Sequence, residues 1–136
     1  MLTEAAFPEP VMGEQEVILL VEDNSSIGGS LSEVLELSNY RVLSAENGHA
    51  ALEKIASAQP PVNLVLSDLA MPDMGGLELC QELRRREINV PVLIFSGYVS
   101  ESTLAELRAL GVVDYLNKPV DVELLLERIS EVLHPS

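Results

Sequence analysis

The chain has 136 residues, of which 47% are hydrophobic, and this composition fits one folded domain with one hydrophobic core. With 8 Lys and Arg against 22 Asp and Glu, its formal net charge of -14 would repel nucleic-acid phosphates and anionic lipid surfaces. A single cysteine excludes an intramolecular disulfide, and no pattern typical of a signal peptide or a membrane span is present. We therefore expect a cytoplasmic protein that binds neither nucleic acid nor membranes.

Along the chain, a proline-containing start gives way to a regular alternation of apolar runs and helical patterns. The first fourteen residues, MLTEAAFPEPVMGE, have no sustained period, so we predict a flexible tail over 1–14 and one domain over 15–134. The predicted strands are VILLV (17–21), RVLSA (41–45), NLVLS (63–67), VPVLIFS (90–96) and VVDYL (112–116). The predicted helices cover 26–38, 49–57, 76–87, 100–110 and 121–133.

Five such βα units predict an α/β fold, a doubly wound parallel sheet covered by helices on both faces. The second strand is the most polar and is expected at an edge. Asn39 and Gly111 stand where helices should end, because these residue types best tolerate a left-handed conformation. Cys80 is predicted to be a packed core thiol, and the arginine run at 84–86 a solvated face that complements the helix dipole.

Polar residues follow four of the predicted strands, at the sheet edge where parallel folds bind ligands. They occur in LLVEDN, LSD, IFSGY and YLNKP, which supply Glu22, Asp23, Asp68, Ser96 and Lys118. Three clustered carboxylates repel one another unless a cation lies among them, and Mg²⁺ accepts such oxygen ligands while keeping several waters. The sequence therefore predicts one crevice that holds Mg²⁺, with Lys118 providing a positive charge for an anion.

Four segments in order, LLVEDN, LVLSDLAMPDMGGLEL, VLIFSGY and LGVVDYLNKPVD, resemble the receiver domain of two-component response regulators over about residues 15–134. The resemblance implies a flavodoxin-like, five-stranded sheet with strand order 2-1-3-4-5. It also implies a phosphoacceptor signalling module in which Asp68 takes a phosphoryl group from a histidine kinase or a histidine phosphotransfer protein. The phosphorylated protein would then contact a downstream protein partner.

The family pattern implies a role for each residue of the metal set. Asp23 corresponds to a direct Mg²⁺ ligand and Glu22 to one that acts largely through water. Asp68 and the backbone carbonyl of Ala70 complete the ligands. In-line phosphoryl transfer to Asp68 needs positioning and neutralised charge more than acid or base catalysis, which this set would supply.

Other residues correspond to the family's switch. Ser96 and Lys118 match the residues that contact the phosphoryl group, and Tyr115 matches the aromatic side chain that moves when Ser96 is drawn inward. Pro119 makes the Lys118–Pro119 bond a candidate cis peptide. The face formed by helix 4, strand 5 and helix 5 would then change, and it is the expected surface for a partner or a homodimer.

Three alternatives remain open at this stage. A receiver fold that is never phosphorylated could serve only as an adaptor. A Mg²⁺-dependent phosphohydrolase that forms an aspartyl phosphate would usually need an acidic residue where Ala70 stands, so a turnover enzyme is not expected. A flavodoxin-like nucleotide binder is ranked last, because EDNSSIGGS lacks a glycine-rich phosphate fingerprint. His49 and His134 lie in no recognisable donor sequence and are interpreted as surface histidines.

Overall fold

The computed structural model describes residues 12–135, which form one five-stranded parallel sheet in the order β2-β1-β3-β4-β5. The strands are β1 (Val17–Val21), β2 (Arg41–Ala45), β3 (Leu64–Asp68), β4 (Val92–Ser96) and β5 (Asp114–Asn117). The helices are α1 (Ser25–Leu37), α2 (Gly48–Ser57), α3 (Gly76–Arg85), α4 (Glu101–Ala109) and α5 (Val122–Leu133). The α/β fold class and the strand order predicted from the sequence are both confirmed.

Strand side chains alternate between two apolar cores, as the period of two in a β-strand requires. On one side of the sheet, Leu19, Val65 and Ile94 pack with buried residues of α2, α3 and α4. On the other side, Leu20 and Leu66 pack with buried residues of α1 and α5. The two cores explain why the central strands are apolar along their whole length.

The edge strands are the exposed ones. All residues of β1, β3 and β4 are buried, whereas β2 and β5 each have one buried residue. The polar second run is therefore an edge strand, as its composition predicted. The described residues include no helix with the length and apolar character needed to cross a bilayer.

Element boundaries differ from the predicted ones by one or two residues where a side chain or a turn takes over the backbone. Helix α1 begins at Ser25 because the Asn24 side chain accepts from the backbone N–H groups of Ser26 and Ile27. Strand β5 begins only at Asp114, since the N–H of Val112 still bonds to the α4 residue Leu107. Across residues 112–113 the sequence is apolar and gives no signal for this change.

Both predicted helix ends adopt the left-handed conformation, with φ of 70° at Asn39 and 84° at Gly111. Cys80 is fully buried, and this burial raises the pKa of its thiol to about 11, which fits a packed core residue. The arginine run at 84–86 differs in burial, because Arg85 and Arg86 are exposed and Arg84 is not. Arg84 is half-buried and donates to the carbonyls of Leu110 (2.7 Å), Ile88 (2.7 Å) and Val90 (3.1 Å), so it departs from the predicted solvated face.

Of the predicted tail, residues 1–11 lie outside the described part of the chain. The remaining residues of that stretch, 12–14, run beside the end of α1. The backbone N–H of Gly13 donates to the carbonyl of Ser38 at 2.7 Å, and its carbonyl accepts from the Asn39 side chain at 2.7 Å. Gly13 also lies against Tyr40, whose ring would clash with any side chain at this position.

Candidate functional site

A crevice at the carboxyl ends of the strands brings together one lysine and two buried carboxylates. Lys118, which follows β5, donates from Nζ to Asp68 Oδ2 at 2.7 Å and to Glu22 Oε1 at 3.2 Å. Asp68 is 4% exposed and Glu22 8% exposed, while Lys118 remains partly open to solvent. The parallel sheet thus aligns residues that are up to 96 positions apart in the sequence.

The electrostatics of this crevice favour a bound cation. Burial raises the pKa of Glu22, the Asn24 backbone N–H opposes that rise, and the nearby Asp68 carboxylate adds to it. Burial also works against the charge on Lys118, but its bonds to Asp68 and Glu22 raise the pKa of the ammonium group overall. One lysine therefore faces two buried carboxylates, so the net charge of the three ionised groups is negative.

Asp23 adds a third carboxylate to the crevice. Oxygen atoms of Glu22, Asp23 and Asp68 lie within 4.8 Å of one another, and Asp23 is exposed whereas the other two are buried. A set made only of oxygen donors that opens to solvent on one side fits Mg²⁺, which keeps part of its water shell. Ala70 lies at the same opening, where its backbone N–H donates to Asp68 Oδ1 at 3.2 Å.

Ser96 and Tyr115 lie next to the crevice but do not bond to Asp68. The buried hydroxyl of Ser96 donates to the carbonyl of Tyr98 at 3.1 Å. Tyr115 is half-buried, and its hydroxyl bonds to the Ser96 carbonyl at 3.3 Å and to the Asn117 side chain at 3.0 Å. The structure therefore links the two predicted switch residues through the backbone of Ser96. The Lys118–Pro119 peptide bond is cis.

The loop between β3 and α3 closes tightly over the end of β3. Its left-handed turn residue is Asp73, with a φ of 67°, and not one of the two glycines that follow. A Cβ on Gly75 would lie 2.6 Å from the Leu69 carbonyl oxygen, and one on Gly76 would lie 2.7 Å from the Asp68 carbonyl oxygen. The glycine pair is needed for close approach of backbone to backbone, not for a special dihedral angle.

Two contributors to the site have no signal in the sequence pattern. The ring of Phe95 lies under the Lys118 ammonium, with Nζ 5.3 Å from the ring centroid, a distance suited to a cation–π contact. The Asn24 backbone N–H donates to Glu22 Oε2 at 3.3 Å. Phe95 reads only as a core residue in the sequence, and the strand register that sets it beside Asp68 is visible only in three dimensions.

Comparison with known proteins gives the family of this chain. The profile of the family described as "Response regulator receiver domain" matches residues 18–130. The chain belongs to this family, whose members are phosphoacceptor domains of two-component systems.

Two curated relatives and one solved structure show the extent of the similarity. The chain is 40% identical over 121 residues to the transcriptional regulatory protein ZraR of Klebsiella oxytoca, covering 89% of this chain and 27% of that protein. It is 35% identical over 116 residues to the CAI-1 autoinducer sensor kinase/phosphatase CqsS of Vibrio cholerae, covering 83% of this chain and 17% of that protein. A receiver domain protein (CheY-like) from Methanospirillum hungatei JF-1 superimposes with a TM-score of 0.79 at 32% identity, covering 85% of this chain and 91% of that one.

The chain thus spans only about a quarter or less of the length of these two curated relatives. One of them carries the name of a regulator and the other that of a sensor kinase. Family membership therefore identifies the domain and favours neither of these two kinds of protein.

Proposed function

We propose that this domain accepts a phosphoryl group on Asp68, in a Mg²⁺-dependent reaction, from a phosphohistidine on a partner kinase or phosphotransfer protein. The main support is that Lys118 Nζ contacts Asp68 at 2.7 Å and Glu22 at 3.2 Å at the carboxyl ends of the strands. In the reaction, a carboxylate oxygen of Asp68 bonds to phosphorus while the phosphorus–nitrogen bond breaks and the donor imidazole leaves.

The residues of the crevice can divide the work of that transfer. Mg²⁺, held by Asp23, Asp68, the Ala70 carbonyl and, through water, Glu22, would neutralise charge on the transferred group. The Lys118 ammonium already contacts Asp68 and would pair with an oxygen of a phosphoryl group attached there. Such a transfer depends on positioning and neutralised charge more than on acid or base catalysis, which suits a crevice built from carboxylates and one lysine.

An apolar groove beside Lys118 supports docking of a donor protein through an apolar surface. The groove, of about 650 Å³, lies between α1 and the residues that follow β5. Its apolar lining includes Ile27, Leu31 and Val34 from one side and Val120 and Val122 from the other. A partner that covers this groove would lie next to the crevice, because Lys118 lines the groove and contacts Asp68.

We further propose that phosphorylation draws the Ser96 hydroxyl away from the Tyr98 carbonyl and toward the phosphoryl group, and that Tyr115 then moves inward. The bond between the Tyr115 hydroxyl and the Ser96 carbonyl supports this coupling. The face of α4, β5 and α5 would change for a downstream protein or a second copy. Light scattering with and without the phosphodonor tests whether the second copy is the partner.

The deciding experiment is intact-mass measurement after incubation with acetyl phosphate. We expect one added phosphoryl group that requires Mg²⁺ and is lost in Asp68→Asn. Asp73→Asn is the matched control, because Asp73 is an exposed aspartate of the same loop and asparagine tolerates its left-handed backbone. If neither a phosphoryl group nor beryllofluoride binds, the protein is an unphosphorylated adaptor and the proposal is overturned.

A further inference from the structure

A second group of potential metal ligands lies away from the crevice, where the segment before β1 meets the end of α5. Its members are Glu14, Glu16 and His134, and one ligand atom from each lies within 4.8 Å of the others. His134 pairs directly with Glu16, 118 positions away in the sequence. Unlike the crevice, this group includes an imidazole nitrogen.

The segment that carries the two glutamates is fixed from the opposite side. The Gln15 backbone N–H donates to the Asn39 carbonyl at 2.8 Å, and the Gln15 side chain donates to Asn39 Oδ1 at 2.6 Å. Gly13 bonds to Ser38 at 2.7 Å. Gln15 thus anchors the segment, while the Glu16 carboxylate pairs with His134 and also accepts from the Glu14 backbone N–H at 2.5 Å, so Glu16 and His134 are already held together.

Tyr40 supplies an independent observation beside this group. It is 2% exposed, and within residues 12–135 its hydroxyl is the buried side-chain polar atom that lacks a hydrogen-bond partner. The ring carbon that bears this hydroxyl lies 2.7 Å from the position of a Cβ on Gly13, next to Glu14. Burial raises the pKa of Tyr40 to about 12, and the negative charge of Glu16 contributes to that rise. The charge of Glu16 therefore acts on a buried hydroxyl that has no partner, and such a hydroxyl is costly.

We propose that Glu14, Glu16 and His134 form a second metal site, which binds Zn²⁺ or a similar borderline divalent ion with water in the remaining position. One imidazole nitrogen and two carboxylate oxygens form a donor set that such ions accept and that Mg²⁺ does not prefer. A metal-bound water would give the Tyr40 hydroxyl the partner that it lacks. The net charge of -14 further favours a cation.

The test uses Co²⁺, whose visible absorption reports an imidazole-containing low-coordinate site, in buffer with excess Mg²⁺. All measurements are made on the 136-residue chain carrying Asp23→Asn, which removes a proposed ligand of the crevice. The chain has two histidines, so His49→Gln on the exposed start of α2 is the matched control for His134→Gln. Circular dichroism checks that each variant is folded.

We expect one Co²⁺ per chain in the parent and in His49→Gln, and binding weakened at least about tenfold in His134→Gln, since even second-shell changes cost that much. Glu14→Gln, a change at an exposed side chain, should also weaken binding. Zn²⁺ should displace the Co²⁺ and its absorption. Absence of Co²⁺ binding, or equal affinity in the two histidine variants, would overturn the proposal. Because Asp68 takes no part, neither result bears on phosphorylation.

Discussion

Lys118 donates a 2.7 Å hydrogen bond to Asp68 across 50 positions of sequence, and in doing so it occupies one of the two oxygens of the proposed phosphoacceptor. The same ammonium group contacts Glu22 at 3.2 Å. Lys118 therefore has a structural role before any phosphoryl group arrives, because it is the cation that keeps two buried carboxylates together.

Replacing Lys118 by methionine should expose that role. In Mg²⁺-free buffer we expect Lys118→Met to lower the free energy of unfolding by about 1–3 kcal/mol, because two buried carboxylates lose their partner. Saturating Mg²⁺ should recover part of the loss. Urea unfolding at both Mg²⁺ concentrations measures this, with Lys54→Met on an exposed position of α2 as the control. An equal loss in the two variants would contradict the assignment.

The raised pKa of Glu22 predicts a pH-dependent stability. The folded state holds this proton more tightly than the unfolded chain, so the contribution of Glu22 is greatest below its ordinary value of 4.5 and is lost as pH rises through the folded pKa. Without Mg²⁺, Glu22→Gln should be more stable than the wild type at pH 7, and the gap should narrow on acidification. Thermal unfolding from pH 7 to pH 4.5 measures the gap. A gap that widens on acidification would refute this sign.

Two glycines in different environments should respond in opposite directions to alanine. Gly76→Ala places a Cβ 2.7 Å from the Asp68 carbonyl oxygen, so we expect a loss of about 1–3 kcal/mol by overpacking, together with slower phosphorylation. A Cβ on Gly29 in α1 meets nothing within 4 Å, so Gly29→Ala should gain about 0.5–1 kcal/mol. Chemical denaturation compares them, and a neutral Gly76→Ala would show that the loop shifts freely.

The adjacent arginines of α3 provide a further comparison. Arg84 donates to three backbone carbonyls, a pattern that a lysine cannot reproduce, and we expect Arg84→Lys to cost about 1–3 kcal/mol. Arg85 pairs with Glu82 on its own helix and its side chain is 70% exposed, so Arg85→Lys should change stability by less than about 0.5 kcal/mol. Similar costs at both positions, measured by urea unfolding, would argue against the three-carbonyl role.

The sequence predicts most of the fold because its signals are local. Apolar runs such as VILLV, bounded by polar residues, predict central strands, and Asn39 and Gly111 identify helix ends through the backbone angles that they tolerate. The grouping of Glu22, Asp68 and Lys118 also follows from the sequence, since the carboxyl ends of parallel strands share one edge.

Other features depend on which side chains meet across long separations. In the sequence, Arg84 is one member of a run predicted to be solvated. In the structure it donates to the carbonyl of Leu110, which is 26 residues away. His134 gives no sequence signal for its contact with Glu16. The glycine pair at 75–76 suggests a turn, but the residue with a positive φ is Asp73. The two glycines are needed because backbone oxygen atoms of the folded loop leave no room for a Cβ, and this crowding is visible only in the structure.

The contacts of Arg84 also decide how α4 could move. Leu107 is the buried residue of α4, and Arg84 donates to the carbonyl of Leu110 just beyond the last turn. Both contacts therefore lie at the carboxyl end of the helix. The first turn, capped by Ser100, joins the loop that starts at Ser96. Because both contacts hold the carboxyl end of α4, a displacement of Ser96 would move the amino end of the helix more than its carboxyl end.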